Sequence, residues 1–160
     1  MKYLIISFVV LLSFNLASAN ELLQNYCQQT GGQYINEWTC PNSKKVRDGG
    51  FCVQTNFQGK SLVFNGCTGA PSGYGERFFR ACMIHDFCYH NEPAVSGKSK
   101  EECDSDLLNN MRKVCEQTGG SLGCRSAARA FYMAVSSGGN SSWQCEKNNA
   151  VYPDKLEQIP

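Results

Sequence analysis

Ten cysteines, at positions 27, 40, 52, 67, 82, 88, 103, 115, 124 and 145, constrain this 160-residue chain more than any other feature. Their number is even, and all of them follow an N-terminal stretch that reads as a leader. Met1-Lys2, the apolar run Tyr3 to Leu16 and the small residues Ala17-Ser18-Ala19 match a secretory signal peptide, residues 1–19, cleaved before Asn20. The run is too short to span a bilayer. Export into an oxidising, extracellular compartment makes five disulfides the expectation. A zinc site is the weaker reading, because there is no C-x-x-C pair and His85 and His90 are the only histidines.

Without residues 1–19 the chain has 141 residues, with 14 basic groups facing 14 acidic ones. A formally neutral protein has no field to steer a polyanion, so no nucleic-acid partner is expected. The length suits one core in a monomer.

Glu21 to Thr30 carries Leu22, Leu23, Tyr26 and Cys27 on one side, the pattern of a short amphipathic helix stopped by Gly31-Gly32. From Gln33 to Gly66, turns at Gly49-Gly50 and Gly59 separate runs such as Phe51–Thr55 and Ser61–Phe64, which suit short strands or stapled loops. Asn65 to Glu76 holds four glycines and a proline in twelve residues and predicts an irregular loop pinned by Cys67. A helix is expected from Arg77 to His90, ended by Asn91-Glu92-Pro93. A second begins near Ser99, where Ser99-Lys100-Glu101-Glu102 has the form of a capping box, and would bury Cys103, Leu107, Met111, Val114 and Cys115. Gly119-Gly120 closes it. A third runs from about Ser121 to Val135, before a Ser/Gly/Asn-rich tail that holds the sequon Asn140-Ser141-Ser142 and is expected to be loose except where Cys145 ties it down. The expected divisions are therefore the leader 1–19, a loop- or strand-rich part 20–63, a helical core 64–136 and a tail 137–160.

The chemistry centres on Ala81-Cys82-Met83-Ile84-His85-Asp86-Phe87-Cys88-Tyr89-His90. On a helix, Phe78, Ala81, Cys82, Cys88 and Tyr89 share a buried stripe with His85, and Asp86 points about 100° away. An imidazole beside a carboxylate that faces elsewhere suits a proton-handling base next to a ligand for a hard cation. Asp104 follows Cys103 at the start of the next helix. A Cys88–Cys103 bond would let its carboxylate reach the imidazole nitrogen not engaged in chemistry, fixing the tautomer. Tyr89, four residues beyond His85, can bond the same carboxylate. Asp106 projects about 200° away from it and reads as a solvated charge. Were Cys67 joined to Cys82, Asn65 and Gly66 would bring oxygen atoms beside Asp86, a donor set suited to calcium.

Cys82 to Tyr89, C-M-I-H-D-F-C-Y, resembles the C-x-x-H-D-x-C-Y helix of secreted phospholipases A2, and Cys103-Asp104 resembles the second-helix pair of those enzymes. Asn65 to Pro71, N-G-C-T-G-A-P, with Ala81 to Asn91, is closer to the bacterial and fungal phospholipases A2 and to conodipine-like animal proteins than to the venom and pancreatic ones. Met111 to Cys115 and Phe131 to Val135 fit the same groups. The resemblance covers roughly residues 64–136.

It implies a mainly α, disulfide-stapled fold with two long antiparallel helices carrying the site, a third C-terminal helix and a loop-rich N-terminal part. It also implies calcium-dependent hydrolysis of the sn-2 ester of glycerophospholipids at a membrane or micelle surface. His85 would be the general base acting on water, Asp104 its orienting partner and Tyr89 a further part of the catalytic group. Asp86, Asn65 and Gly66 would hold Ca2+. The bacterial pattern has an acidic residue where Asn65 stands, so weaker calcium affinity or a different ligand set is expected here. Cys67–Cys82, Cys88–Cys103 and Cys115–Cys124 are predicted, with Cys27, Cys40, Cys52 and Cys145 left open among three connectivities. Tyr74, Phe78 and Phe79 are the nearest candidates for membrane adsorption, although Phe78 and Phe79 also suit the core. A non-catalytic toxin or receptor ligand on the same scaffold is the alternative.

Overall fold

The computed structural model describes residues 19–67, 70 and 73–160. The leader assigned to residues 1–19 lies outside the described residues except for Ala19. Four helices, α1 (Ala19–Gln29), α2 (Tyr74–Asn91), α3 (Lys100–Gln117) and α4 (Leu122–Gly138), accompany a three-stranded antiparallel sheet. Its strands are β1 (Gln33–Thr39), β2 (Val46–Thr55) and β3 (Ser61–Phe64), paired in the order β1-β2-β3. The fold is the disulfide-rich, phospholipase A2-like one that the resemblance implies.

The N-terminal part is more regular than its glycines suggest. Gly49 and Gly50 do not form a turn but lie inside β2, where the register slips between Ile35, opposite Phe51, and Glu37, opposite Asp48. The slip puts an extra residue in β2, a bulge, and a Cβ on Gly50 would collide with the Tyr34 hydroxyl. The hairpin turn comes earlier, closed by Cys40 N–H to the Lys45 carbonyl and Lys44 N–H to the Cys40 carbonyl, both 2.9 Å. In β3 the consecutive residues Leu62, Val63 and Phe64 are all buried: Leu62 and Phe64 join the main core against which α2 packs, and Val63, on the opposite face, is closed off as well.

α2 is the central element. It starts at Tyr74, three residues before the expected Arg77, so Tyr74-Gly75-Glu76 belong to the helix and not to the loop. Tyr74 stacks on Phe78 one turn later, at 5.7 Å between ring centroids, and Glu76 places a carboxylate against the helix N-terminus. The expected single stripe is too narrow for this helix. Met83, Ile84 and Phe87 are buried as well, and Phe87 meets Phe64 of β3 edge-on at 5.2 Å. Phe78 and Phe79 are core, Phe78 against Phe131 of α4 and Phe79 against Tyr26 of α1.

α3 begins with the expected capping box, in which Ser99 Oγ accepts from Glu102 N–H and the Glu102 carboxylate accepts from Ser99 N–H. Cys103, Leu107, Met111 and Cys115 face inward, with Val114 half-buried. Asp106 is less free than expected: it pairs with Lys98 at 2.8 Å. The tail is not loose. Gln144 N–H bonds the Tyr89 carbonyl at 2.7 Å, Glu146 and Lys147 N–H bond the His90 carbonyl, and Leu156 and Ile159 join the main core.

Five disulfides use every cysteine: Cys27–Cys52, Cys40–Cys145, Cys67–Cys82, Cys88–Cys103 and Cys115–Cys124. The last three are the pairs that the sequence predicts. The first two resolve the open set, tying α1 to β2 and the hairpin to the tail. Such a complement of disulfides is the pattern of a protein matured outside the reducing cytosol.

Candidate active site

Helices α2 and α3 cross where Cys88 bonds Cys103, and this crossing brings together His85 and Asp104, nineteen residues apart in sequence. His85 Nε2 lies 2.9 Å from Asp104 Oδ1, with both residues buried. With the Asp104 carboxylate accepting the Nε2 proton, the tautomer leaves Nδ1 as the basic nitrogen. Tyr89 donates its hydroxyl to the same Oδ1 at 2.5 Å, and its ring lies 4.1 Å from the imidazole.

Sequence reasoning misses one member of the group. Lys100, buried at the first position of α3, donates to Asp104 Oδ2 at 2.9 Å. Its signal was present as a lysine four residues before Asp104 on one helix face. Burial works against the Asp104 carboxylate, but hydrogen bonds from His85, Tyr89 and Lys100 outweigh it and hold its pKa below the ordinary range. Burial lowers the His85 pKa, and Asp104 offsets only part of that. The imidazole is therefore neutral and able to accept a proton at neutral pH. Burial and then the hydrogen bond to Asp104 raise the Tyr89 pKa, so Tyr89 remains a donor.

Asp86 faces the other way, toward the segment that Cys67–Cys82 folds against α2. Its Oδ2 accepts from Asn65 N–H at 2.9 Å and Gly66 N–H at 2.8 Å. The expectation was of oxygen donors from Asn65 and Gly66, whereas these contacts are N–H groups that orient the carboxylate. Gly66 has φ +65°, and a Cβ there would lie 2.8 Å from the Phe79 ring, so only glycine suits this approach. Burial pushes the Asp86 pKa up to about 7, against the pull of these two N–H groups. A desolvated carboxyl of this kind gains from a nearby cation. It opens on a cavity of about 40 Å³ lined also by Asn65, Arg47, Phe51, Tyr89, His90 and Ser142. Asp86 and the Asn65 amide offer oxygen, which fits a hard cation such as calcium and not a thiophilic metal. His90, Cys145 and Glu146 also converge, but Cys145 is bonded to Cys40 and has no thiolate to offer. That cluster is not a metal centre.

A neutral imidazole held by a buried carboxylate, beside a second carboxylate on the next residue of the same helix, is an arrangement suited to accepting a proton. The family model of the prokaryotic phospholipase A2 matches residues 52–139, more than half of the chain and the whole of this arrangement. The chain belongs to that family. It is also similar to conodipine-P1 and conodipine-P2 of Conus purpurascens, each 39% identical over 56 residues, which are 34% of this chain and 31% of the relative. The match thus spans about a third of the length of these curated relatives. No solved structure matches the chain.

Proposed function

We propose that the protein is a secreted, calcium-dependent phospholipase A2 that hydrolyses the sn-2 ester of glycerophospholipids to a fatty acid and a lysophospholipid. The observation that carries this reading is the His85 Nε2 to Asp104 Oδ1 bond, which leaves Nδ1 as the nitrogen able to accept a proton. His85 Nδ1 draws a proton from a water as the water oxygen attacks the ester carbonyl carbon. Asp104 steadies the imidazolium so formed. The proton then passes from Nδ1 to the leaving glycerol oxygen as the ester C–O bond breaks. No acyl-enzyme forms. Asp86, with Asn65 and Gly66, would hold calcium, whose charge favours the negative charge that develops on the carbonyl oxygen.

Membrane adsorption cannot use the core residues Phe78 and Phe79. Among the described residues Phe57, Leu122 and Met133 are the most exposed large apolar side chains and suit it, with Tyr74 half-buried. The test is fatty-acid release from mixed phospholipid vesicles with and without a calcium chelator. Calcium-dependent release from the sn-2 position is expected. Release that is insensitive to the chelator removes calcium from the reading, and no release at all favours a non-catalytic ligand.

A further inference from the structure

Lys100 is buried, yet its ammonium has an acceptor for each of its three protons. Asp104 Oδ2 lies at 2.9 Å, the Val135 carbonyl at 3.3 Å and the Ser136 carbonyl at 3.4 Å. The last two belong to the final turn of α4, where the Val135 carbonyl also accepts from Gly139 N–H and the helix dipole favours a cation. Lys100 therefore ties the first turn of α3, with the Asp104 carboxylate one turn on, to the end of α4. The Tyr89 ring, 5.6 Å from the ammonium, closes a fourth side.

The division of labour on Asp104 matters. Oδ1 accepts from both His85 and Tyr89, whereas Oδ2 is taken by Lys100. A carboxylate bonded through only one oxygen can turn about its last torsion, which is broad for aspartate. With Oδ2 anchored to an ammonium that α4 itself holds, the carboxylate plane is set and Oδ1 keeps its direction toward Nε2. A lysine is suited to this because it supplies three donors in a tripod and a full charge against a buried carboxylate.

We propose that Lys100 is a positioning residue for the His85 imidazole and acts through Asp104. Its effect on turnover rests on His85 being the base, but its effect on the imidazole does not. The chain has two histidines, so imidazole 15N NMR of the intact, disulfide-bonded protein can follow His85, with Asp104→Asn marking its signal. The native protein should show a slowly exchanging Nε2 proton. Lys100→Met should lose it and lower kcat on the order of 10²-fold, with KM and the calcium dependence unchanged. Lys100→Arg should restore both in part. In the Asp104→Asn background the Lys100→Met change should alter kcat by no more than about twofold, because the group it acts through is already altered.

A Lys100→Met protein that melts lower but keeps the His85 signal and its kcat would make Lys100 only a tie for α4. An equal kcat loss with and without Asp104 would overturn the proposal as well. Should Lys100→Met not fold, Lys100→Gln and Lys100→Arg carry the same comparison. If the His85 signal depends on Lys100 while the native protein releases no fatty acid, the positioning stands and the phospholipase reading falls.

Discussion

The α2–α3 pair and the strap behind it, residues 142–147 laid against the β1–β2 hairpin, are each closed by a disulfide, but they cohere by different means. In the helix pair, side chains do the work: Cys88 to Cys103, and Asp104 to His85, Tyr89 and Lys100. In the strap the bonds are largely main-chain, from Gln144, Glu146 and Lys147 to the Tyr89 and His90 carbonyls and from Asn42 N–H to the Cys145 carbonyl. Arg47 adds a side-chain bond to Ser141 Oγ at 2.7 Å. The first region couples directly to chemistry. The second couples to it by fixing the end of α2, one wall of the cavity beside Asp86 and, through Trp143 edge-on at 5.5 Å, the Tyr89 ring.

The largest separation between the two should appear on substitution of the base. His85→Gln is expected to lower turnover by about 10²–10⁴-fold at saturating calcium with little change in calcium affinity, and Asp86→Asn to lose activity mainly through calcium. Calcium titrations of hydrolysis distinguish them, and near-normal turnover in His85→Gln withdraws its role. Asp104→Asn should be milder, and far from additive with His85→Gln.

Removing the strap's disulfide should act on stability instead. Cys40 and Cys145 are 105 residues apart, and on the loop-entropy account a closure of that length is worth about 4–5 kcal/mol. The Cys40→Ala/Cys145→Ala protein should therefore melt far lower yet retain turnover per folded molecule well below its transition. If turnover instead falls as in Cys88→Ala/Cys103→Ala, the strap is part of the catalytic apparatus and the contrast fails.

A pH effect comes next in size. Burial, then the Arg47 charge, lower the His90 pKa to about 4. Between that value and about 6.5 the unfolded chain binds more protons than the folded one, so stability is present above about 6.5 and falls as the pH drops. The loss is at most about 3 kcal/mol. Denaturant unfolding from pH 7 to 4 should show it, and His90→Phe should flatten the slope. An unchanged slope would assign acid sensitivity elsewhere.

The smallest expected effect is at Asn65, the residue that follows β3. Asn65→Asp adds a negative charge beside Asp86 and should raise calcium affinity severalfold if Asn65 is in or near the ligand set. Unchanged calcium dependence would place Asn65 outside it.

The same contrast explains what could be read in the chain beforehand. His85, Asp86, Cys88, Tyr89, Cys103 and Asp104 are near enough along two helices for a 3.6-residue period to put them on definite faces, and the resemblance draws on the same residues. Lys100 escaped because a lysine in a first helical turn is ordinarily solvated, and only the end of α4 makes this one buried. Gly49 and Gly50 were misread because a bulge and a turn share one composition, and Tyr34, which distinguishes them, is distant in sequence. The tail was misread for a related reason: main-chain hydrogen bonds leave no residue signature, so residues 144–147 carry no mark of their partners at 89 and 90.

The family match begins on Cys52, whose partner Cys27 lies outside it, and Cys40 and Cys145 bracket the match from either side. The segment 52–139 is consequently not a portable unit in this protein. Excised, it would keep both helices and the His85–Asp104 pair but carry an orphaned thiol where Cys52 is fully buried, and would lose Leu23 and Ile159 from its core. A graft of this site into another scaffold has to bring the flanking sequences with it, as an outer casing latched by two covalent bonds.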